Sequence, residues 1–204
     1  QPSSTELNMC NSEMVNDFFS DNRPDYVINL AARVGGILAN SRFPVDFFEE
    51  NLMIAYNTYK SSRIFGVKKI INAGAGCGYP LAAEEPLNEE NLWDGRPQPE
   101  SMAYSTAKKL LTIMGDIYET QYRIQTCTII PSNVYGLKDN FNLMNAHVVP
   151  ALIHKFYLAK INVNSEVEIW GDGSARRDYI FANDVAKSIT KLLQKDVTGV
   201  FNVA

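Results

Sequence analysis

Three short strand-forming runs constrain this chain most: Tyr26 to Ala32, Val67 to Ala73 and Gln125 to Pro131. The first is near-continuous in apolar residues, which is the signature of a strand buried on both faces, and the second reads as another buried strand. Long stretches with helical spacing separate the three. Pro44 opens one of them, with Phe47, Phe48, Met53, Ile54 and Ile64 expected inward and Gly66 as its stop. Ala103 to Tyr122 is the next. A short helix from Asn11 to Ser20, capped by Asn11, precedes the first run. Beyond the third run the pattern predicts a helix from Val149 to Lys160, started by Pro150, and a short strand from Val167 to Trp170. A helix from Asn183 to Gln194, capped by Asn183, and a strand from Val200 to Val203 follow. Glu84 to Glu100 is acidic and proline-containing and reads as a surface loop. Strands that alternate with helices build βαβ units around a parallel sheet, so the fold class is α/β.

Bulk properties exclude several functions. The chain has 204 residues, 46% hydrophobic and 21% charged, with a net charge of -4. No basic run exceeds two residues, so no nucleic-acid partner is expected. No apolar stretch reaches bilayer length, and the N-terminal residues lack a signal pattern. The three cysteines, Cys10, Cys77 and Cys127, are odd in number and lack metal spacing, so no metal is expected and a reducing cytoplasm fits.

In open α/β sheets, ligands gather at the C-terminal ends of the strands. Three such ends carry small or polar residues. Leu30-Ala31-Ala32 runs into Val34-Gly35-Gly36. Ala73-Gly74-Ala75-Gly76-Cys77-Gly78 ends in Tyr79-Pro80. Pro131-Ser132-Asn133-Val134 continues to Tyr135-Gly136. Singly, each reads equally well as a tight turn. Between the second and third lies Tyr104-Ser105-Thr106-Ala107-Lys108, which puts a phenol and an ammonium on one helix face. A phenol titrates near pH ~10, and a cation one turn away favours its ionised form. Such a pair exchanges a proton with a carbonyl or alcohol while a nicotinamide handles the hydride.

Tyr-x-x-x-Lys alone is a weak signal; its combination with these strand ends is specific. The chain resembles the extended short-chain dehydrogenase/reductases, the NAD-dependent epimerase/dehydratase family. Within it the chain is most similar to the GDP-L-fucose synthase branch. Asn29 to Gly36, the Cys77 turn, Tyr104 to Lys108 and Pro131 to Gly136 carry the resemblance. So do Asp139-Asn140-Phe141, His147-Val148-Val149-Pro150-Ala151-Leu152, and Trp170-Gly171-Asp172-Gly173 leading to Arg176-Arg177-Asp178.

The resemblance implies a Rossmann-like doubly wound parallel sheet. It also implies epimerisation of GDP-4-keto-6-deoxy-D-mannose at C3 and C5, then NADPH-dependent reduction at C4, with NAD as the other possible cofactor. Tyr104 would be the acid at the C4 oxygen. Lys108 would lower the phenol's pKa and hold the nicotinamide ribose. Cys77 and His147 would be the base and acid of epimerisation, since protons beside a ketone are acidic enough for a thiolate or imidazole. The cofactor would touch Leu30, Ala31, Ala32, Ala73, Gly74, Ala75, Pro131, Ser132, Asn133 and Val134, together with Tyr104, Lys108 and His147. Lys155, Trp170 and Arg177 would bind the GDP-sugar, and a homodimer would form through the two long helices paired in a four-helix interface. From the residues alone, Cys77 reads as a small buried hydrophobe, His147 as a helix cap, Trp170 as core and Arg176-Arg177 as a solvated pair. His154 reads as a surface residue, and Cys10 and Cys127 as packing.

The implied division is a partial dinucleotide-binding domain over residues 1–140, a substrate-binding insert over 141–180, and a return to the sheet over 181–204. The sequence departs from the family pattern twice. A Ser or Thr usually precedes the cysteine turn where Ala75 stands here, which removes a donor to the C4 carbonyl and weighs against reduction. No Gly-x-Gly-x-x-Gly turn occurs; Gly74-Ala75-Gly76-Cys77-Gly78 has the wrong spacing and leads into Tyr79-Pro80 rather than a helix. The expected fold thus lacks the first strand, Gly turn and helix, and most of the C-terminal substrate domain.

Overall fold

The structure, a computed structural model, describes residues 2–143, 146–169 and 171–204. Strand β1 (Tyr26–Asn29) pairs with β2 (Lys69–Ala73), β2 with β3 (Gln125–Pro131), and β3 with β6 (Gly199–Val203), all parallel. A second, two-stranded parallel sheet joins β4 (Asn133–Tyr135) to β5 (Tyr179–Phe181). The fold is the α/β parallel sheet read from the sequence.

Helices cover the main sheet on both sides. On one side α1 (Ser12–Asn22) packs on α3 (Pro44–Phe65), and α3 on α4 (Met102–Tyr122). Val15, Phe19, Ala55, Tyr59 and Leu111 from these helices enclose Ile70. On the other side α6 (Ala182–Gln194) lays Val185 and Ile189 against Ile71, Cys127 and Ile129. Ile70 and Ile71 are successive residues of β2 and therefore point to opposite faces. Asn11 caps α1 as its sequence suggests, accepting from the amides of Glu13 and Met14. Pro44 starts α3 and Gly66, with φ 75°, stops it in the left-handed conformation that glycine adopts without cost.

Several sequence expectations are corrected. β1 is a half-covered edge strand, with Tyr26 and Ile28 exposed. Those two residues point to the α6 face, and on the main sheet α6 packs chiefly on β2 and β3. On α3, Phe47 and Ile54 are buried as expected, but Met53 and Ile64 are exposed and Asn51, Asn57, Thr58, Ser61 and Ser62 are buried instead. Asn183 lies inside α6, whose cap position is Phe181. Val167 to Ile169 form no strand, and Trp170 lies outside the described residues. Two elements had no expectation: α2 (Ile37–Arg42) and the β4–β5 sheet. The helix predicted from Val149 to Lys160 is present as α5 (Val148–Ile161), and two short 3-10 helices, Glu89–Trp93 and Pro99–Ser101, form in and at the end of the acidic loop.

Candidate active site

The C-terminal ends of β2 and β3 and the first turns of α4 meet at one place. Gly74 follows β2 so closely against β3 that its amide donates to the Ile129 carbonyl at 2.7 Å. A Cβ at Gly74 would stand 3.0 Å from that oxygen and 3.1 Å from Thr128 Cγ2, so a larger residue would force its neighbours to shift. The chain then makes a 3-10 turn, Gly76–Gly78, which carries Cys77 against α4. Gly78 rests on the Lys109 side chain; a Cβ there would approach its Cγ at 3.1 Å. Tyr79 fixes the far end of the turn, its hydroxyl donating to Asn202 Oδ1 at 2.8 Å. Gly74, Ala75, Leu92, Lys108, Lys109, Thr112, Thr128 and Ile130 line a narrow crevice behind the turn.

Cys77, Tyr104 and Lys108 form one electrostatic group. Burial pushes the Tyr104 phenol up to about 12, and the neighbouring Cys77 adds to the rise. Burial lowers the Lys108 ammonium to about 8, with Cys77 opposing the fall. The Cys77 thiol is raised by burial of its sulfur, although the residue is exposed at the turn. Hydroxyls of Ser105 and Ser101 and the Lys108 charge pull it back down. This corrects the expectation that Lys108 depresses the Tyr104 phenol. The ammonium is itself desolvated, and its charge acts on Cys77. A phenol near 12 is protonated at neutrality, which is the form a proton donor needs. Its ring is held edge-on against buried Phe47, with centroids 6.4 Å apart, and the Arg33 guanidinium covers Phe47 from 5.1 Å. Arg33 in turn pairs with Asp46 at 3.5 Å and with Glu50.

Two buried lysines show what is unusual here. Lys69 is 2% exposed, and its ammonium donates to three backbone carbonyls. Lys108 is 5% exposed, and among the described residues no carboxylate or carbonyl takes its protons. An unpaired buried cation is costly unless something else needs it there. The sign follows from the lowered value. Between pH 8 and 10.5 the unfolded chain holds a proton that the folded chain has released, so stability rises with pH across that window. Below pH 8 the full cost stands, on the order of 3 kcal/mol at 1.36 kcal/mol per unit. Lys108→Met is therefore expected to melt higher than the parent at pH 7, by about 1–3 kcal/mol of stability, and to lose that gain near pH 10. Thermal melts at the two pH values check this; an equal melting temperature at pH 7 would refute the unpaired ammonium.

The other expected site residues lie as follows. Ala73 to Ala75 border the crevice, and Leu30, Ala31 and Ala32 follow β1. Pro131 ends β3, Asn133 and Val134 form β4, and Ser132 lies between them with a buried hydroxyl that has no hydrogen-bond partner. His147 is exposed at the N-cap position of α5 and makes no capping bond. None of the interactions that join Cys77, Tyr104 and Lys108 includes it. Lys155 donates to the Glu168 carbonyl at 3.0 Å, and exposed Arg177 to the Arg176 carbonyl at 2.6 Å. His154, read as a surface residue, is half-buried and bonds the Phe141 carbonyl through Nδ1 at 2.6 Å. The sequence reading also missed Ser101 and Ser105. Their only signal was position, four residues apart beside Tyr104.

Comparison with known proteins places this geometry. A profile described as "NAD dependent epimerase/dehydratase family" matches residues 2–204. The chain belongs to the NAD-dependent epimerase/dehydratase family. It is 38% identical over 191 residues to a putative GDP-L-fucose synthase 2 of Arabidopsis thaliana, covering 94% of this chain and 58% of that protein. To the GDP-L-fucose synthase of Escherichia coli K12 it is 35% identical over 189 residues, covering 93% and 59%. Among solved structures, it superposes at TM-score 0.90 and 30% identity on a GDP-L-fucose synthetase from Naegleria fowleri bound to NADP, covering 98% of this chain and 66% of that one. A GDP-mannoheptose C4 reductase from Campylobacter jejuni with NADP bound gives TM-score 0.90 at 31% identity, covering 100% and 71%. The chain spans about three fifths of the length of the curated relatives it matches. Among the described residues, no helix is long and apolar enough to cross a membrane.

Proposed function

We propose that this chain carries the reacting groups of a GDP-sugar epimerase/reductase that converts GDP-4-keto-6-deoxy-D-mannose to GDP-L-fucose. One observation carries the reading: a thiol, Cys77, shares its electrostatic surroundings with the Tyr104–Lys108 pair. A plain 4-epimerase has use for the phenol and ammonium but none for the sulfur. Epimerisation beside a ketone needs a base at carbon, and a thiolate supplies one. Cys77 takes the proton from C3 or C5, and the electron pair passes to the C4 oxygen as an enolate. His147 returns a proton to the opposite face. Tyr104 then protonates the C4 oxygen when the ketone is reduced.

The cofactor we assign is NADP, as in the two nicotinamide-bound neighbours, with NAD as the other candidate. The residues present fit its nicotinamide end. The buried Ser132 hydroxyl lacks a partner at the end of β3, and the Lys108 ammonium is free to meet ribose hydroxyls. When bound, the reduced nicotinamide supplies the hydride. Leu30 to Ala32, Ala73 to Ala75 and Pro131 to Val134 border it in this reading. Ala75 offers no hydroxyl to the ketone, which leaves Ser132 as the hydroxyl at hand. Lys155, Trp170 and Arg177 hold the GDP-sugar, the cations facing its phosphates. We assign residues 1–140 to a partial cofactor domain, 141–180 to a substrate-binding insert and 181–204 to the return to the sheet. Three free thiols suit the reducing cytoplasm. The decisive experiment follows NADPH oxidation and solvent-deuterium incorporation at C3 and C5 in Tyr104→Phe and Cys77→Ala.

We further propose a homodimer built on α3 and α4. Their outward faces expose Met53, Tyr56 and Ile64 on α3 and Ile113 and Ile117 on α4, spaced at helical intervals. Ile117→Glu should then convert a dimer into a folded monomer in sedimentation velocity. A parent chain that sediments as a monomer at tens of micromolar overturns this.

A further inference from the structure

Tyr104 must aim its hydroxyl at one oxygen, yet among the described residues that hydroxyl has no hydrogen-bond partner. What fixes its direction is the packing of its ring. The Phe47 ring meets it at 6.4 Å between centroids and 86° between planes, and Phe47 is 3% exposed. Edge-to-face contact of this kind is a favoured arrangement for two aromatic rings. Phe47 is itself braced from the loop that follows β1. The Arg33 guanidinium covers its ring at 5.1 Å, and a Cβ at Gly35 would stand 2.8 Å from its Cζ. In turn, α3 holds that loop. Asp46 and Glu50, four residues apart on α3, both pair with the Arg33 guanidinium. Buried Asn51 accepts from the Arg33 amide at 3.2 Å and donates to the Arg33 carbonyl at 3.1 Å. Asn40 of α2 donates to the Gly35 and Gly36 carbonyls at 2.8 and 3.1 Å. The same α2 packs on the 3-10 turn Pro99–Ser101, which leads directly into α4.

Resting on the reductase reading of this site, we propose that Phe47, braced by Arg33, is a positioning residue for the Tyr104 phenol. A tyrosine ring turns about its side-chain bonds, and its oxygen lies at the far end of that lever. Misplacing a reacting group by about 1 Å costs on the order of a hundredfold in rate. A buried ring set edge-on to the phenol resists that swing, and the Arg33 cation over Phe47 keeps the brace itself from turning. The brace runs from the end of β1 through the first turns of α3 to the first turn of α4. Cys77 lies on the turn after β2, outside this path, so the brace serves the phenol and leaves the sulfur alone. It adds no reacting group. The Tyr104 O–H bond is still the one that breaks, and its proton goes to the C4 oxygen.

The test separates aim from stability. Phe47→Leu should lower kcat for NADPH oxidation about tenfold, leave KM for NADPH and sugar unchanged, and leave deuterium incorporation at C3 and C5 at the parent rate. In a Tyr104→Phe background the same substitution should cost nothing further, because it acts through the missing hydroxyl. A residue that only fills the core would lower both half-reactions together and cost the same factor in both backgrounds. That result overturns the proposal, as does an unchanged kcat. Arg33→Gln keeps the main-chain bonds to Asn51 and should lower kcat in the same way by less. If Phe47→Leu does not fold, an unchanged kcat in Arg33→Gln overturns the proposal. A second readout needs no sugar. In protein labelled with 3-fluorotyrosine, the Tyr104 fluorine signal is the one that Tyr104→Phe removes. A ring held edge-on gives distinct signals for its two edges, and Phe47→Leu should merge them; an unaltered pattern overturns the proposal. If the pattern changes but the parent oxidises no NADPH with the sugar, the brace stands and the reductase reading falls instead.

Discussion

Lys69→Met should lower the melting temperature by roughly 6–12 °C, which corresponds to about 3 kcal/mol for a chain of this size. Its ammonium reaches Leu192, Lys195 and Val197 carbonyls at 2.7, 2.6 and 2.9 Å. Leu192 lies in the last turn of α6, where carbonyls have no helical partner and the dipole is negative. Lys195 and Val197 belong to the connection that delivers β6 to the sheet. One side chain of β2 therefore terminates a helix and fixes the path to the fourth strand. Methionine matches the length and removes the donors. Each carbonyl left unpaired costs about 1–3 kcal/mol, offset in part because no charge is then buried. The Val197 carbonyl keeps one donor, the Cys127 thiol at 3.1 Å, which holds the loss near the lower sum. Calorimetry checks it, and high salt should leave the loss unchanged, since the group is buried. A melting temperature within about 2 °C of the parent would show that the three bonds contribute nothing net.

How legible this was in the sequence depends on how far away the deciding partner lies. The cap at Asn11, the start at Pro44 and the stop at Gly66 depend on neighbours within four residues, and all were readable. The strand-end turns were readable for the same reason. The inward face of α3 was not. Asn57 is buried because it accepts from Ser12 at 2.5 Å and donates to the Met9 carbonyl at 2.8 Å, some 45 residues away. Ser61 is buried against Asn16 at 2.7 Å. Periodicity puts such residues outside, and only tertiary partners bring them in. The same holds deeper in the sheet. Asn29 donates to Asn72 at 3.2 Å, Asn72 to the Tyr59 hydroxyl at 2.9 Å, and Tyr59 to the Leu111 carbonyl at 3.0 Å. This chain links β1, β2, α3 and α4 through groups the sequence lists as merely polar. At the site, the Tyr-x-x-x-Lys spacing placed Tyr104 and Lys108 one turn apart on a single helix, as α4 has them. It could not reveal that both would be desolvated, which reverses the expected direction of the phenol's shift.

Tyr104→Phe and Cys77→Ala should separate two half-reactions that share one crevice. The phenol-to-phenyl change keeps the ring against Phe47 and removes only the hydroxyl, so the fold is expected to hold. Reduction leaves negative charge on the C4 oxygen, and Tyr104 is the neutral acid placed to quench it. Loss of a positioned proton donor costs about 10²–10⁴ in rate. NADPH oxidation should fall by that factor, while deuterium incorporation at C3 and C5 continues, because the sulfur remains. Cys77→Ala should do the reverse, stopping incorporation by a comparable factor. It should also bring Lys108 and Tyr104 one charge neighbour fewer: the ammonium loses what holds it up, and the phenol loses what pushes it higher. The pH profile of NADPH oxidation in Cys77→Ala should therefore shift its alkaline limb downward. A Tyr104→Phe chain with full turnover ends the proposed acid, and a Cys77→Ala chain that still exchanges both hydrogens ends the proposed base. Loss of both activities together in either variant would mean that the two side chains serve one step, and would overturn the division of labour between sulfur and phenol.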